Sequence, residues 1–161
     1  MDIEITTYSQ TDYSEVIKLW LRAGLSLSYS DTESELNRFA KFCKESFFIM
    51  RYHEVIIGSV IGSFDGRRGY INHLAIDPRY QHQGLGSRLM THLENWYREH
   101  NVVKIHLMIE RENAEVGDFY EKEGWYYRDD LILMSKTLKD EPFSILDIKS
   151  DGSYISKQDW K

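Results

Sequence analysis

The segment Gln81-His82-Gln83-Gly84-Leu85-Gly86 constrains this chain more than any other. It follows a strand-like run, Tyr70-Ile71-Asn72-His73-Leu74-Ala75-Ile76, and opens a stretch in which Leu85, Leu89, Leu93, Trp96 and Tyr97 recur at helical spacing. A glycine-rich turn from strand into helix leaves backbone N–H groups unpaired at the positive end of the helix dipole. Such groups seat phosphate oxygens. The six residues therefore place a phosphate-bearing ligand at the middle of an alternating strand-and-helix fold.

What the loop lacks narrows the ligand. A mononucleotide loop carries Lys-Ser/Thr after its last glycine, whereas Gly86 is followed by Ser87 and Arg88. A dinucleotide loop puts a third glycine at position 89, which is Leu89. One feature still speaks for a dinucleotide, because Glu110 ends the next apolar run where a ribose-binding acid sits. Against it, such loops usually open their domain, and this one begins only at Gln81.

The rest of the chain supplies the supporting elements. Ile3 and Ile5 predict a first strand ending near Tyr8. Val16, Ile17, Leu19, Trp20 and Leu21 form the apolar face of a helix, capped by Ser9 or Thr11 and stopped at Gly24. After a serine-rich connection, Asp31 caps a second helix bearing Leu36, Phe39, Ala40 and Cys43. Residues 46–52 and 54–64 read as an antiparallel pair turned near His53, with Gly58 and Gly62 marking bulges or close backbone approach. Beyond the loop and its helix, residues 102–109 read as a strand, 113–123 as a helix ended by Gly124, and 125–136 as a final strand. In the tail, 143–147 and 153–156 flank an Asp151-Gly152 turn, a hairpin signal. The sum is an α/β fold: one domain over 1–138, a mixed sheet flanked by helices, and a hairpin-like C-terminal extension over 139–161.

Composition sets the function classes aside rather than choosing one. With 161 residues, 42% of them hydrophobic, the chain can bury one ordinary core. No apolar run reaches the roughly 20 residues of a membrane span, and Met1-Asp2-Ile3-Glu4 lacks the basic and apolar regions of a signal peptide. The single cysteine, Cys43, excludes an internal disulfide, suits a reducing compartment, and reads as a packing residue beside Phe39 and Phe42. A cytoplasmic protein without a membrane partner is expected. A net charge of −6 disfavours nucleic acid and leans weakly towards cationic acceptors. His53, His92, His100 and His106 show no metal-ligand spacing, so no metal site is expected.

Two motifs carry a family resemblance. Gln81, Gly84 and Gly86 match the pattern Gln/Arg-x-x-Gly-x-Gly/Ala, after an apolar strand that ends in Asp77-Pro78. Asn113, Tyr120 and Gly124-Trp125 then follow the order and spacing of Asn…Tyr-Glu-Lys-x-Gly-Phe. On these residues the chain, over 1–138, resembles the GNAT superfamily of acyl-CoA-dependent N-acyltransferases. Segment 64–69 is similar to that of small bacterial members of unassigned acceptor.

The resemblance implies a mostly antiparallel GNAT-type sheet, acetyl-CoA as cosubstrate, and direct attack by a primary amine of a small molecule or a peptide. It implies that the pantetheine arm runs beside Leu74, Ala75 and Ile76, one of whose N–H groups polarises the acetyl carbonyl. The diphosphate sits on the amides of Gln83, Gly84, Leu85, Gly86 and Ser87, with side-chain contacts from Gln81 and His82 and charge from Arg88. Asn113 holds the arm through its amide, caps a helix, or does both. Tyr120 is the acid that protonates the CoA sulfur. The helix pair near the N-terminus borders the acceptor site, and a homodimer is among the states the resemblance opens.

The base is where this sequence departs from the family. Many members carry a glutamate two residues before the leucine of the cofactor strand, and Asn72 stands there, unable to accept a proton. His73 is adjacent, and imidazole changes charge near neutral pH, but strand alternation turns it from the face of Asn72. Asp65 and a water relay are the other candidates. The missing glutamate and the added tail also motivate a rival reading, a non-catalytic CoA-binding sensor or assembly module.

Overall fold

In the computed structural model, which describes residues 2–138, five strands build one sheet in chain order: β1 (Ile3–Thr7), β2 (Phe47–Tyr52), β3 (Val55–Phe64), β4 (Gly69–Ile76) and β5 (Ile105–Leu107). The first four pair antiparallel, and β5 joins β4 in parallel. Helices α1 (Tyr13–Arg22) and α2 (Glu33–Cys43) fall between β1 and β2. Helix α3 (Leu85–Glu99) makes the crossover that a parallel pair requires, and α4 (Gly117–Lys122) follows β5. The mixed α/β sheet expected from the sequence is present. The expected tail hairpin lies outside the described residues.

Helices cover both faces of the sheet, which is why β2 and β3 are near-continuous apolar runs instead of alternating ones. Phe47 and Ile49 point into a core shared with Val16, Ile17 and Trp20 of α1 and Leu36 of α2. Phe48 and Met50, one residue out of step, join Leu85, Leu89, Leu93 and Tyr97 of α3 on the other face. At Gly62 the close approach expected from the sequence is visible, because a Cβ there would lie 2.6 Å from Leu93 Cδ1 and 3.1 Å from Ser46 O. The Tyr97 hydroxyl lies 3.0 Å from Ser63 O and 2.9 Å from Tyr70 O, tying α3 to the β3–β4 hairpin, and burial raises its pKa.

The end of β4 is fixed by charge. Asp77, fully buried, accepts from Arg22 Nε of α1 at 3.0 Å and from Arg79 Nη2 at 2.9 Å, while its own N–H donates to Ile57 O. Hydrogen bonding from Arg79, with Arg22 adding to it, outweighs burial and holds the carboxyl at about 2. The junction between β4 and the glycine loop is thereby clamped to α1.

Three expected elements differ. Residues 102–109 contribute only Ile105–Leu107 to the sheet. In place of the predicted helix 113–123 stand a 3-10 segment (Arg111–Val116), kinked where Asn113 leaves helical geometry at φ −110, ψ 26, and α4. Residues 125–136 are irregular, not a strand. Consecutive Leu131, Ile132, Leu133 and Met134 lack the alternation of a half-buried strand, and three-residue β5 offers them little ladder. Among the described residues no helix is long and apolar enough to cross a membrane.

Candidate active site

The site begins where two strands part. β5 pairs with β4 only at Gly69, Tyr70 and Ile71, so residues 72–76 leave the parallel ladder and a gap opens beside them. The Asp77 N–H points to β3, and Ala75 pairs with Ser59 on that same side. By alternation Leu74 and Ile76 turn their backbone groups into the gap. This corrects the expectation that all three residues face a ligand, because the groups of Ala75 are committed to the sheet.

Gln81 also differs from expectation. Its Nε2 donates to Ile76 O at 3.0 Å, tying the loop back onto β4 rather than reaching outwards. His82 and Gly84 take left-handed φ of 59° and 74°, and His82 and Gln83 are exposed. These turns bring the chain into α3 at Leu85, where the amides of Leu85, Gly86 and Ser87 have no intrahelical acceptor. A Cβ on Gly84 would meet no protein atom within 4 Å, so the loop is open outwards at that position. Arg88 is turned away, its Nη2 donating to Ile3 O at 3.1 Å, and supplies no charge to the loop.

Helix α4 closes over the loop from one side. Phe119 Cζ lies 3.4 Å from where a Cβ on Gly86 would stand, and Ser87 Oγ donates to Glu123 Oε1 at 2.5 Å. Tyr120 packs edge-on against Phe119 and Trp125, with centroids 5.1 and 5.9 Å away, and its hydroxyl bonds no described residue. Burial pushes that phenol up to about 12. Asn113 caps neither helical segment, since Glu110 and Val116 hold those positions, and its side-chain amide is without a partner among the described residues.

The opposite face of the gap holds His73. It sits at φ 51, where the β3–β4 register slips between Ser59 and Ile61. This bulge cancels the alternation expected between Asn72 and His73, and both residues line one cleft of about 440 Å³. The imidazole stands edge-on to Trp20 of α1 at 4.4 Å. Its Nε2 lies 2.9 Å from Asp31 Oδ1, off the ring N–H direction and with no other polar partner. Asp31 is itself buried, its Oδ2 accepting from Ser28 N at 2.7 Å and Ser28 Oγ at 3.2 Å. Glu35, Arg38, Phe39 and Phe42 of α2 complete the cleft, with Glu35 and Arg38 ion-paired to each other.

Asp65 is no part of this arrangement. It is exposed in the β3–β4 turn, where Arg68 and Arg67 N–H groups bind its Oδ1 at 2.6 and 2.8 Å and lower its pKa. From sequence Asp31 is expected only as a helix cap. The signal was Ser28-x-x-Asp31, a capping box whose acid has a second oxygen to spare. Leu74 and Tyr120 belong to the core on the α3 face, whereas Trp20 and His73 stand on the α1–α2 face. A phenol and an imidazole thus stand on opposite faces of the sheet. Among the described residues no group of three or more His, Cys, Asp or Glu is placed to hold a metal.

Comparison with known proteins converges on one description. The profile of the Acetyltransferase (GNAT) family matches residues 13–125. A Yersinia pestis protein named acetyltransferase is 29% identical over 141 residues, spanning 88% of this chain and all of its own length. Among solved structures, Ard1 of Thermoplasma volcanium is 25% identical with a TM-score of 0.71, over 81% of this chain and 91% of its own. The PaiA N-acetyltransferase of Thermoplasma acidophilum, solved in complex with coenzyme A, has a TM-score of 0.71 at 20% identity, over 80% of this chain and 92% of its own.

Proposed function

The chain belongs to the GNAT family of acetyltransferases, and we propose that it moves an acetyl group from acetyl-CoA to a primary amine by direct attack. One observation carries this reading: residues 72–76 leave the β5 ladder directly before an open glycine loop, with Tyr120 packed on the α3 face of the sheet and His73 on the α1–α2 face. The coenzyme A bound to the Thermoplasma acidophilum relative supports an acyl-CoA ligand.

When bound, acetyl-CoA supplies a thioester carbonyl and a thiolate that can leave. The amides from Gly84 to Ser87 hold its diphosphate, and the outward φ-positive turn at Gly84 lets them approach it. The backbone groups of Leu74 and the N–H of Ile76 are free to pair with the pantetheine arm and to polarise the carbonyl, since fixed dipoles require no reorganisation. The Asn113 amide adds a further contact. Tyr120, protonated at neutral pH with a pKa of about 12, donates its proton to the leaving sulfur. His73 takes a proton from the incoming ammonium, whose ordinary pKa near 10.4 demands a base. Ammonium and thioester become amide and thiol with one net proton released to water.

The cleft bounds the acceptor. Leu36, Phe39, Phe42 and Ile61 form an apolar wall, and Asp31 sets negative charge beside it, since Glu35 is ion-paired to Arg38. Phe42 is 83% exposed at its rim. A primary ammonium on an apolar body, whether a small molecule or a peptide terminus, fits that surface best. Thiol release from acetyl-CoA across a panel of amines tests the reading. Acceptor-dependent release that favours arylalkylamines or peptides with apolar first residues is expected. Binding of acetyl-CoA without release by any amine would refute catalysis by this site.

A further inference from the structure

Asp31 is fixed more firmly than a cap requires. It ends a short 3-10 turn (Tyr29–Asp31), its carbonyl accepts from Tyr13 Oη at 3.2 Å, and one carboxylate oxygen is bound twice by Ser28. The other oxygen lies 2.9 Å from His73 Nε2, a nitrogen sealed from solvent with no alternative partner. The His73 ring is held edge-on by Trp20, whose indole N–H is anchored on Ser59 Oγ at 2.8 Å. His73 adopts left-handed geometry without being glycine, and backbone outliers of that kind cluster where function over-determines them.

We propose that Asp31 is a positioning residue that holds His73 with the proton on Nε2, leaving Nδ1 as the atom that takes the acceptor's proton. The inference rests on the acetyl-transfer reading above. Nδ1 bonds no described residue, and the ring lines the cleft that suits an amine. On proton transfer from R–NH3+ to Nδ1 the ring becomes an imidazolium, and the Asp31 carboxylate stabilises that charge across the Nε2 contact. The amine lone pair then forms the N–C bond as the C–S bond breaks, Tyr120 gives a proton to sulfur, the second proton leaving nitrogen passes through water to restore the Tyr120 phenol, and Nδ1 returns its own to water. The present contact is off the N–H axis, and catalytic hydrogen bonds commonly align only when substrate is bound. The other charges at the cleft, Glu35 and Arg38, neutralise one another, so Asp31 is the carboxylate that sets the electrostatics of His73.

The test combines kinetics with a tautomer measurement on the full chain. In wild-type protein, nitrogen NMR of the His73 imidazole at a pH where it is neutral should show the proton on Nε2. A proton on Nδ1 overturns the proposal without any variant. Asp31→Asn should lower kcat by roughly 10- to 100-fold, the range for outer partners of a functional histidine, and move the acid limb of the kcat/KM profile to lower pH. His73→Gln should lower kcat by roughly 100-fold or more and remove that limb, and adding Asp31→Asn should cost nothing further. An unmoved limb with multiplicative losses would mean that Asp31 only supports the fold. Unchanged turnover in His73→Gln would instead remove the base assigned under the acetyl-transfer reading. Calorimetric binding of acetyl-CoA should be the same in all four proteins.

Discussion

The buried charge at Asp77 makes a prediction whose size follows from the structure. Its carboxylate is fully buried between Arg22 and Arg79, with a folded pKa of about 2 against an ordinary 3.8. At about 1.36 kcal/mol per pH unit, that difference stabilises the native state by about 2.4 kcal/mol at neutral pH. The sign follows from the direction. Because the folded value is the lower one, the contribution is complete above the unfolded pKa and disappears as pH falls through the folded one, leaving about 1.3 kcal/mol at pH 3. Asp77→Asn removes the charge with little change of volume. Urea denaturation of both proteins should give a gap of about 2 kcal/mol at pH 7 that narrows between pH 5 and pH 3. Equal stability at pH 7, or a gap that does not change with pH, would refute the electrostatic clamp. Because the clamp fixes the residue that follows β4 and leads into the glycine loop, the variant should also bind acetyl-CoA more weakly under the proposed function.

Other substitutions probe the remaining parts. Gly84→Glu should abolish acetyl-CoA binding while destabilising the fold by only about 1–2 kcal/mol for the left-handed backbone, because its side chain enters open space; calorimetry beside thermal melts separates the two effects. Tyr120→Phe should lower kcat by roughly 100-fold or more and leave acetyl-CoA affinity intact, and unchanged turnover would remove the acid role. With that phenol at about 12, the wild-type rate should show no alkaline fall from Tyr120 below about pH 11, which a pH–rate profile checks. Gly62→Ala should destabilise by about 1–3 kcal/mol, measured by chemical denaturation, since its methyl meets Leu93 and the Ser46 carbonyl.

The legible parts of this protein are the local ones. The loop from Gln81 to Gly86 carries its own turn and helix start within a few residues, so the sequence announces both the loop and the strand that precedes it. The apolar runs of β2 and β3 likewise reveal strands, and Gly62 betrays a helix packed hard on the sheet. The placement of His73 was illegible because it depends on a bulge. Nothing in Asn72-His73-Leu74 signals a left-handed residue, and without it alternation sends His73 to the wrong face. Asp31 was read as a cap because its partner lies on another element far along the chain. Gln81 shows the converse: its identity was legible, but its amide faces Ile76 O and fixes the loop. Residues 125–136 do not form the expected strand, because Leu131-Ile132-Leu133-Met134 runs without alternation and three-residue β5 leaves almost no ladder to join.

The glycine loop and the unpaired stretch of β4 beside it are the proposed acetyl-CoA site, and every catalytic role proposed for the protein depends on it. Titration calorimetry of the full chain with acetyl-CoA, with NADH as control, measures that claim. Saturable one-to-one binding of acetyl-CoA, absent with NADH and lost in Gly84→Glu, is the predicted result. No heat with acetyl-CoA, or binding that Gly84→Glu leaves untouched, would contradict the loop's role and with it every catalytic assignment built on it.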